Sequence, residues 1–258
     1  MSNEIRMETH GGVAVLTIDR PSVRNALNEA ALDEIVRCAV RVEEDPAIKA
    51  LILTGAGSQA FSSGRDLKER AARDAGAVSA RPPMRDFRRN AFEAIWECRK
   101  PTIAAINGDA VGGGFEVALA CDLRVSVSHA RFALPEAKRG LGAVFGSTIL
   151  ARSVPSSVYF EWVYLGDFVA ATELQRWGLL NRVVEHDALG AALEMANEIA
   201  TRAPLSIARF KATLVRGREL PVAAALRADF HPDPYTSEDR VEGVAAFAEK
   251  RAPRWTGR

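Results

Sequence analysis

The sequence contains few of the residues that build disulfide frameworks, redox motifs or metal centres. It has 3 cysteines in 258 residues, and none of them lies in a CxxC spacing, so neither a disulfide scaffold nor a thiol redox site is expected. The 4 histidines are far apart along the chain. They form no HxxxH pair and no Cys/His cluster, so no metal site is predicted. A reducing cytoplasm is the expected compartment.

Charge of one sign and long apolar runs are also lacking. The formal net charge is +1, so no overall field attracts nucleic acid or an anionic membrane surface. No apolar run reaches the length of a membrane span. The N-terminal stretch carries Glu4 and Glu8 and has no apolar core of the kind found in signal peptides. We therefore expect a cytoplasmic protein with neither a nucleic-acid partner nor a membrane partner.

The motifs of serine hydrolases and of nucleotide-binding proteins are absent or incomplete. The chain has no GxSxG and no GxxxxGK[ST] segment. Residues 55–60, GAGSQA, come after the apolar run Lys49–Thr54 and imitate the dinucleotide fingerprint GxGxxG/A. That fingerprint must open a helix, whereas the next residues along the chain have no helical periodicity. A dinucleotide site is therefore not expected.

The pattern of apolar residues predicts alternating strands and helices, with a helical tail after them. This order is typical of an α/β domain. The predicted strands are Val13–Asp19, Lys49–Thr54, Pro101–Ile106, Leu123–Val127 and Asn181–Val184, and Arg131–Leu134 is predicted as a short extended piece. The predicted helices are 26–44, 65–74, 84–98, 115–120, 188–202, 204–216, 221–230 and 237–251, and residues 76–83 are predicted to form a mobile loop. We expect the tail to have more apolar surface than one layer can cover, which indicates subunit contacts.

Two glycine turns are the most informative local features. Gly112, Gly113 and Gly114 lie between a predicted strand and a predicted helix, where backbone amides at a helix N-terminus can bind a developing negative charge. Taken alone, this turn is equally compatible with simple tight packing of strand against helix. A second turn at Gly64 and Arg65 precedes another predicted helix, and alone it is compatible with a capping turn. Together, the two turns suggest a pair of amide donors that converge on one oxygen.

Several ordered motifs resemble the crotonase family, that is, the enoyl-CoA hydratase/isomerase family. They are RPSVRNALN, FSSGRDL, NGDAVGGGFEVALACDLRVS, FALPEAKRGLG and the ending EGVAAFAEKRAPRWTGR. The resemblance covers nearly the whole chain. It implies a crotonase-like ββα spiral core over residues 1–186 and a C-terminal helical oligomerisation segment over residues 187–258. It also implies an acyl-CoA thioester substrate, no separate cofactor beyond the coenzyme A of that substrate, and a homotrimer or homohexamer.

The resemblance also implies roles for individual positions. The backbone N–H groups of Arg65 and Gly113 would form an oxyanion hole for the thioester carbonyl oxygen. Arg24 and Lys68 would be available to the phosphates of coenzyme A. The full set of implied coenzyme A contacts is Arg24, Ala26, Leu27, Ser63, Leu67, Lys68, Phe247 and Lys250. The last two lie near the C-terminus, either within the same subunit or across a subunit boundary.

Two glutamates are expected to decide the reaction. By similarity to hydrating members, Glu116 would activate water and Glu136 would deliver a proton to Cα. Two carboxylates that share a site disfavour double ionisation, so one can stay protonated as the acid. Without the motifs, both are ordinary charges at helix starts. Because isomerising members usually keep one such carboxylate, the pair favours an enoyl-CoA hydratase. An isomerase and a catalytically silent acyl-CoA-binding protein are the alternatives.

One stretch departs from the family pattern. Where hydrating members usually have Pro-Gly-x-Gly-Gly, this chain has Ala143-Val144-Phe145-Gly146-Ser147. Val144 replaces a glycine whose amide can contact the water, and Phe145 adds bulk. The sequence therefore predicts weakened water placement. The acyl pocket is expected to be lined by residues around 70–90 and 140–147.

Overall fold

The structure is a computed structural model that describes residues 4–73, 75, 84 and 88–258. Within these residues the strands form a sheet of 6 strands and a sheet of 4 strands. The strands are β1 (Ile5–His10), β2 (Val13–Ile18), β3 (Ala50–Gly55), β4 (Ala60–Ser62), β5 (Thr102–Ile106), β6 (Asp109–Val111), β7 (Leu123–Val127), β8 (Arg131–Ala133), β9 (Val169–Ala170) and β10 (Arg182–Val184).

The helices of the described residues alternate with these strands and then form the C-terminal segment. They are α1 (Glu29–Glu44), α2 (Leu67–Arg73), α3 (Ala91–Trp96), α4 (Gly113–Ala120), α5 (Val144–Leu150), α6 (Ser156–Leu165), α7 (Ala171–Arg176), α8 (Ala188–Ala200), α9 (Pro204–Gly217), α10 (Val222–Ala225) and α11 (Glu238–Ala248). A 3-10 turn over Pro135–Arg139 joins β8 to α5. No helix in the described ranges combines the length and hydropathy that crossing a bilayer requires.

The large sheet contains most of the buried apolar residues. Its strand order is β1-β2-β3-β5-β7-β10, and all neighbours are parallel except the antiparallel hairpin β1–β2. All residues of β3 and β5 are buried, as expected for parallel strands covered on both faces. Helix α1 packs on β1 and β2, and α8 packs on β3, β5 and β7. The predicted α/β class is confirmed.

The chain passes from the large sheet to the small sheet three times. After β3, β5 and β7, the chain crosses to β4, β6 and β8 respectively, which are parallel neighbours in the order β4-β6-β8-β9. This repeated strand-strand-helix path is the predicted ββα spiral. Because the carboxyl ends of parallel strands meet at one edge of a sheet, the turns after β4, β6 and β8 lie together.

Several predicted elements differ from those observed. The helix predicted over residues 84–98 starts at Ala91, because Asn90 caps it in a capping box with Glu93. The helix predicted over residues 221–230 is limited to Val222–Ala225. Strands β1, β4, β6 and β9 were missed, since three of them have only two or three residues and β1 has a largely polar pattern. The loop predicted over residues 76–83 lies outside the described residues.

The C-terminal helices leave large apolar side chains exposed. These include Phe210, Leu214, Val222, Leu226, Val241, Val244 and Phe247. An exposed apolar set of this size is typical of a surface that another chain covers. The division into a core over residues 1–186 and an oligomerisation segment over residues 187–258 stays a prediction.

Candidate active site

The loop before α1 is bound to the turn after β4. The amide of Leu27 donates to the Gly64 carbonyl at 2.8 Å, and the amide of Asp66 donates to the Leu27 carbonyl at 2.9 Å. One step earlier, the amide of Ser63 donates to the Arg24 carbonyl at 2.9 Å. These bonds form a short parallel ladder outside both sheets. They bring together most of the positions at which coenzyme A contacts are predicted.

A buried asparagine, which the sequence analysis did not single out, positions this loop. Asn25 has a φ of 56°, a left-handed conformation that asparagine tolerates better than most residues. Its side-chain amide donates to the carbonyls of Ala56 at 2.9 Å and Ala60 at 2.7 Å. Its side-chain oxygen accepts from the Arg20 amide at 3.1 Å. The residue lies within the motif RPSVRNALN, but nothing local in the sequence indicates partners more than 30 positions away.

The two glycine turns are in direct contact. Gly64 has a φ of 89°, and a β-carbon placed on it would lie 2.6 Å from the Val111 carbonyl oxygen and 3.0 Å from the Gly113 nitrogen. A β-carbon placed on Gly113 would in turn lie 3.4 Å from the Arg65 nitrogen. The predicted pair of amides is therefore adjacent. Within the described part of the chain, neither the Arg65 amide nor the Gly113 amide donates to any acceptor. Both are therefore available as donors, and their convergence on one oxygen stays a prediction.

Glu116 lies one turn inside α4, where every residue is buried. Its carboxyl oxygen Oε1 accepts a hydrogen bond from the Gly146 amide at 2.7 Å. The pKa of Glu116 is raised to about 7, chiefly by burial; the Gly146 amide opposes the shift, and the neighbouring Glu136 carboxylate contributes to it. A carboxyl group with a pKa near neutrality can both accept and release a proton.

Glu136 approaches the same turn from the third spiral repeat. A β-carbon on Gly112 would lie 2.8 Å from Glu136 Oε1, so the carboxyl group lies directly against the glycine turn. Its other oxygen, Oε2, is buried and has no hydrogen-bond partner among the described residues. Burial also raises the pKa of Glu136. Because a buried polar atom without a partner is costly, a water or substrate atom is its natural partner.

The stretch that departs from the family pattern still supplies a glycine amide to the site. A β-carbon on Gly146 would lie 2.8 Å from Glu116 Cγ, so this position requires glycine. Val144 opens α5 with an exposed side chain. Phe145 stacks on Phe92 with ring centroids 5.6 Å apart, so its bulk packs towards α3. The sequence analysis did not predict this contact between the Gly146 amide and Glu116, and the expected effect of Val144 on water placement stays a prediction.

Comparison with known proteins now identifies the family. Residues 8–258 match the family described as enoyl-CoA hydratase/isomerase. The chain belongs to this family. It is therefore an enzyme, a lyase of the hydratase and dehydratase type, and the predicted crotonase recognition is confirmed.

Similar proteins support the assignment over the full length. Carnitinyl-CoA dehydratase from Escherichia coli strain K12 is 38% identical over 269 residues, with 100% of both chains covered. A crystal structure of enoyl-CoA hydratase from Mycobacterium tuberculosis H37Rv is 33% identical, with a TM-score of 0.87 and 100% of both chains covered. The crystal structure of enoyl-CoA hydratase EchA1 from Mycobacterium marinum is 34% identical, with a TM-score of 0.88 and the same coverage.

The predicted coenzyme A positions of this crotonase fall into two groups. Six of them lie on the joined loops or at the start of α2, namely Arg24, Ala26, Leu27, Ser63, Leu67 and Lys68. Phe247 in α11 and Lys250 just after that helix lie in the C-terminal segment, where Phe247 is 87% exposed. Their contact with the nucleotide stays a prediction. Among the described residues, no three His, Cys, Asp or Glu side chains are grouped as metal ligands.

Proposed function

We propose that this enzyme catalyses the reversible addition of water to a 2-enoyl-CoA thioester, giving a 3-hydroxyacyl-CoA. The observation that carries the proposal is the arrangement around one glycine turn. Two backbone amides without acceptors among the described residues, those of Arg65 and Gly113, lie at the turn that the Glu136 carboxyl group contacts, and Glu116 follows in the first turn of α4. The names of its relatives, carnitinyl-CoA dehydratase and enoyl-CoA hydratase, support the same class of reaction.

In the proposed mechanism, the two amides bind the thioester carbonyl oxygen. Water attacks Cβ while Glu116 accepts its proton, and the electron pair of the double bond moves to make an enolate. The negative charge on the enolate oxygen is stabilised by the amides of Arg65 and Gly113, for which one such donor is worth about 3 kcal/mol. Glu136 then donates its proton to Cα. Transfer of the proton from Glu116 to Glu136 restores the starting state, and dehydration takes the same steps in reverse.

The electrostatics of the two glutamates allow them to share a proton. Because burial raises both pKa values, one carboxyl group can hold a proton near neutral pH while the other is ionised. The Gly146 hydrogen bond favours the ionised form of Glu116, and the Arg139 charge favours the ionised form of Glu136. We assign Glu116 as the base and Glu136 as the acid by similarity to hydrating members of the family.

We also propose that coenzyme A lies along the joined loops, with the phosphates near Arg24 and Lys68. The coenzyme A of the substrate would be the only cofactor-like group involved. The exposed apolar helices of the C-terminal segment support a homotrimer or homohexamer, in which a neighbouring subunit covers those side chains.

The direct test is a panel of 2-enoyl-CoA thioesters, with loss of the conjugated enoyl absorbance as the readout. The panel should include crotonyl-CoA, longer chains and the dehydration product of carnitinyl-CoA, because relatives with 38% identity carry that activity in their name. Glu116→Gln and Glu136→Gln serve as paired variants. Absence of turnover across the panel, together with tight binding of coenzyme A, would support the silent binding protein instead. Full activity of Glu116→Gln towards a 3-enoyl-CoA would support isomerisation.

A further inference from the structure

The side chain of Arg20 joins the loop before α1 to the turn after β4. Its Nη1 atom donates to the Ala26 carbonyl at 2.6 Å and to the Asp66 carboxylate at 3.2 Å. Its Nε atom forms an ion pair with Glu4 at 3.1 Å. The side chains of Arg20 and Asp66 are 16% and 15% exposed. Because solvent has little access to this pair, its geometry is more restrictive than that of a surface ion pair.

The two carboxylate oxygens of Asp66 have separate partners. Oδ1 accepts from the amides of Lys68 and Glu69, at 3.2 Å and 3.3 Å, at the start of α2. Oδ2 accepts from the Arg20 guanidinium. An asparagine at this position keeps an oxygen for the two amides but presents an NH₂ group, a donor, to the guanidinium. The contact with Arg20 can therefore be removed while the helix start keeps its acceptor.

The ladder between the loop and the turn sets the direction of the Arg65 amide. Leu27 lies opposite Arg65 in a parallel bridge. The Leu27 amide donates to the Gly64 carbonyl, and the Leu27 carbonyl accepts from the Asp66 amide. In such a parallel pair, the residue between the two bonded neighbours directs its own N–H to the opposite side. The Arg65 N–H therefore points away from the loop, and a shift in this register would redirect it.

Arg20 contacts both sides of this ladder next to the bridge. Ala26 comes directly before Leu27, and Asp66 comes directly after Arg65. The donors of a guanidinium lie in one plane in fixed directions, so binding both residues fixes the separation and the register of the two segments. Donors in an active site must be held within about 0.5 Å of the productive geometry. The contacts of Arg20 supply such support from outside the site.

We propose that Arg20 is a positioning residue that holds the Arg65 amide in the direction required to bind the thioester carbonyl oxygen. The inference rests on the proposed function, since it assumes that this amide is one of the two donors. Arg20 acts through the backbone and does not touch the substrate. The loop is also held by Asn25, which donates to the carbonyls of Ala56 and Ala60, so binding of coenzyme A along the loop should persist without Arg20.

The test measures the hydrogen bonds to the thioester carbonyl without requiring turnover. Butyryl-CoA has no double bond to hydrate, and a carbon-13 label at its thioester carbon identifies the C=O stretch of the bound ligand in infrared difference spectra. Hydrogen-bond donors lower the wavenumber of this band. In Arg20→Gln we expect the band to move back towards that of free butyryl-CoA and kcat for enoyl-CoA hydration to fall about 10-fold. The calorimetric Kd for coenzyme A should stay within about twofold of the parent value.

Asp66→Asn removes the same contact from the other side. We expect the same shift of the band, and the double variant should shift it no further than either single variant, because both changes break one interaction. If Arg20→Gln does not fold by circular dichroism, Asp66→Asn carries the test alone.

The matched control is Arg6→Gln. Arg6 lies in β1 of the neighbouring hairpin and also contacts two carboxylates, Glu8 at 3.3 Å and Asp19 at 2.8 Å. Neither carboxylate belongs to the ladder. This variant should leave the carbonyl band and kcat unchanged.

The outcomes separate this inference from the proposed function. A parent band no lower than that of free butyryl-CoA would refute the proposed carbonyl site and this inference with it. A lowered parent band that stays in place in both variants, or that moves equally in Arg6→Gln, would refute this inference alone. Loss of coenzyme A affinity in proportion to kcat would also overturn it, because Arg20 would then hold the coenzyme A loop.

A band that shifts in Arg20→Gln and Asp66→Asn, with coenzyme A affinity retained, would confirm the positioning role. If the band shifts in this way but the parent protein hydrates no enoyl-CoA, the role of Arg20 stands and the proposed hydration fails.

Discussion

The turn after β3 and the turn after β4 use glycine for different purposes. After β3, the Asn107 side chain accepts from the Gly55 amide at 3.0 Å and donates to the Gly57 carbonyl at 2.7 Å. The Ala56 amide is also paired, with the Ile18 carbonyl at 2.9 Å. After β4, by contrast, the Arg65 amide donates to no acceptor in the described part of the chain. The first turn satisfies its own polar groups, and the second leaves a donor available.

The difference arises from the structural element that each turn meets. The turn after β3 leads into β4, so its backbone groups are bound by neighbouring loops and by Asn107. The second turn meets the start of α4, and the first amides of a helix have no partner within the helix. Glycine content alone therefore does not indicate a binding site. A binding site is indicated by an unpaired amide at a helix start that lies opposite another unpaired amide.

The largest expected effect comes from removing the carboxyl group that α4 presents beside the second turn. Glu116→Gln should lower kcat/KM for enoyl-CoA hydration about 1000-fold, because the amide cannot accept the proton of water. Steady-state kinetics with crotonyl-CoA measures the loss. Glu97→Gln, which removes an exposed carboxylate paired with Arg89, should retain the parent rate. A Glu116→Gln variant that hydrates crotonyl-CoA at a near-normal rate would contradict the catalytic role proposed for the turn after β4.

The next effect tests the two turns directly with the same substitution. Gly64→Ala should lower kcat about 100-fold, because the new methyl group would displace Gly113 and separate the two amides. The matched change is Gly57→Ala. Gly57 has a similar φ of 79°, but no atom lies within 4 Å of the added carbon. This variant should lose about 1 kcal/mol of stability through backbone strain and keep its kcat. Equal loss of kcat in both variants would contradict the distinction.

The pH dependence of the free energy of unfolding tests the burial of Glu116 beside the turn after β4. The folded-state pKa of Glu116 is raised from 4.5 to about 7, so its contribution to stability is fully present below about pH 4.5 and is lost as pH rises through 7. The Glu116→Gln substitution removes this loss of stability at high pH, because glutamine does not ionise. We expect the variant to be more stable than the parent at pH 8, by up to about 3 kcal/mol, and to show little gain at pH 4.5. Urea unfolding at the two pH values measures the difference, and an equal gain at both would contradict it.

The smallest expected effect concerns the asparagine that satisfies the first turn. Asn107→Ala should reduce the free energy of unfolding by about 2 kcal/mol, because the Gly55 amide and the Gly57 carbonyl lose their partner. The kcat should stay within about twofold of the parent value, since no proposed catalytic group is touched. A large loss of kcat without loss of stability would show that this turn also serves the reaction.

The sequence predicted the spiral fold and the contact between the two glycine turns through motifs in a fixed order. It also predicted that the GAGSQA segment opens no helix, and the structure confirms this. It did not predict the role of Asn25, whose partners Ala56 and Ala60 are distant in sequence. It did not predict the hydrogen bond from the Gly146 amide to Glu116, because the family pattern directed attention to a water contact at position 144. Contacts of this kind depend on how the loops pack, which local periodicity does not report.

The order β4-β6-β8 in the small sheet has a consequence for how this enzyme can diversify. The proposed anion-binding amides come from the first and second repeats of the spiral, whereas the proposed acid Glu136 comes from the third. Replacement of the segment after β8 would therefore change which protons move while leaving recognition of the thioester intact. A new reaction would need substitutions in one loop only, provided that the other two strands keep their register.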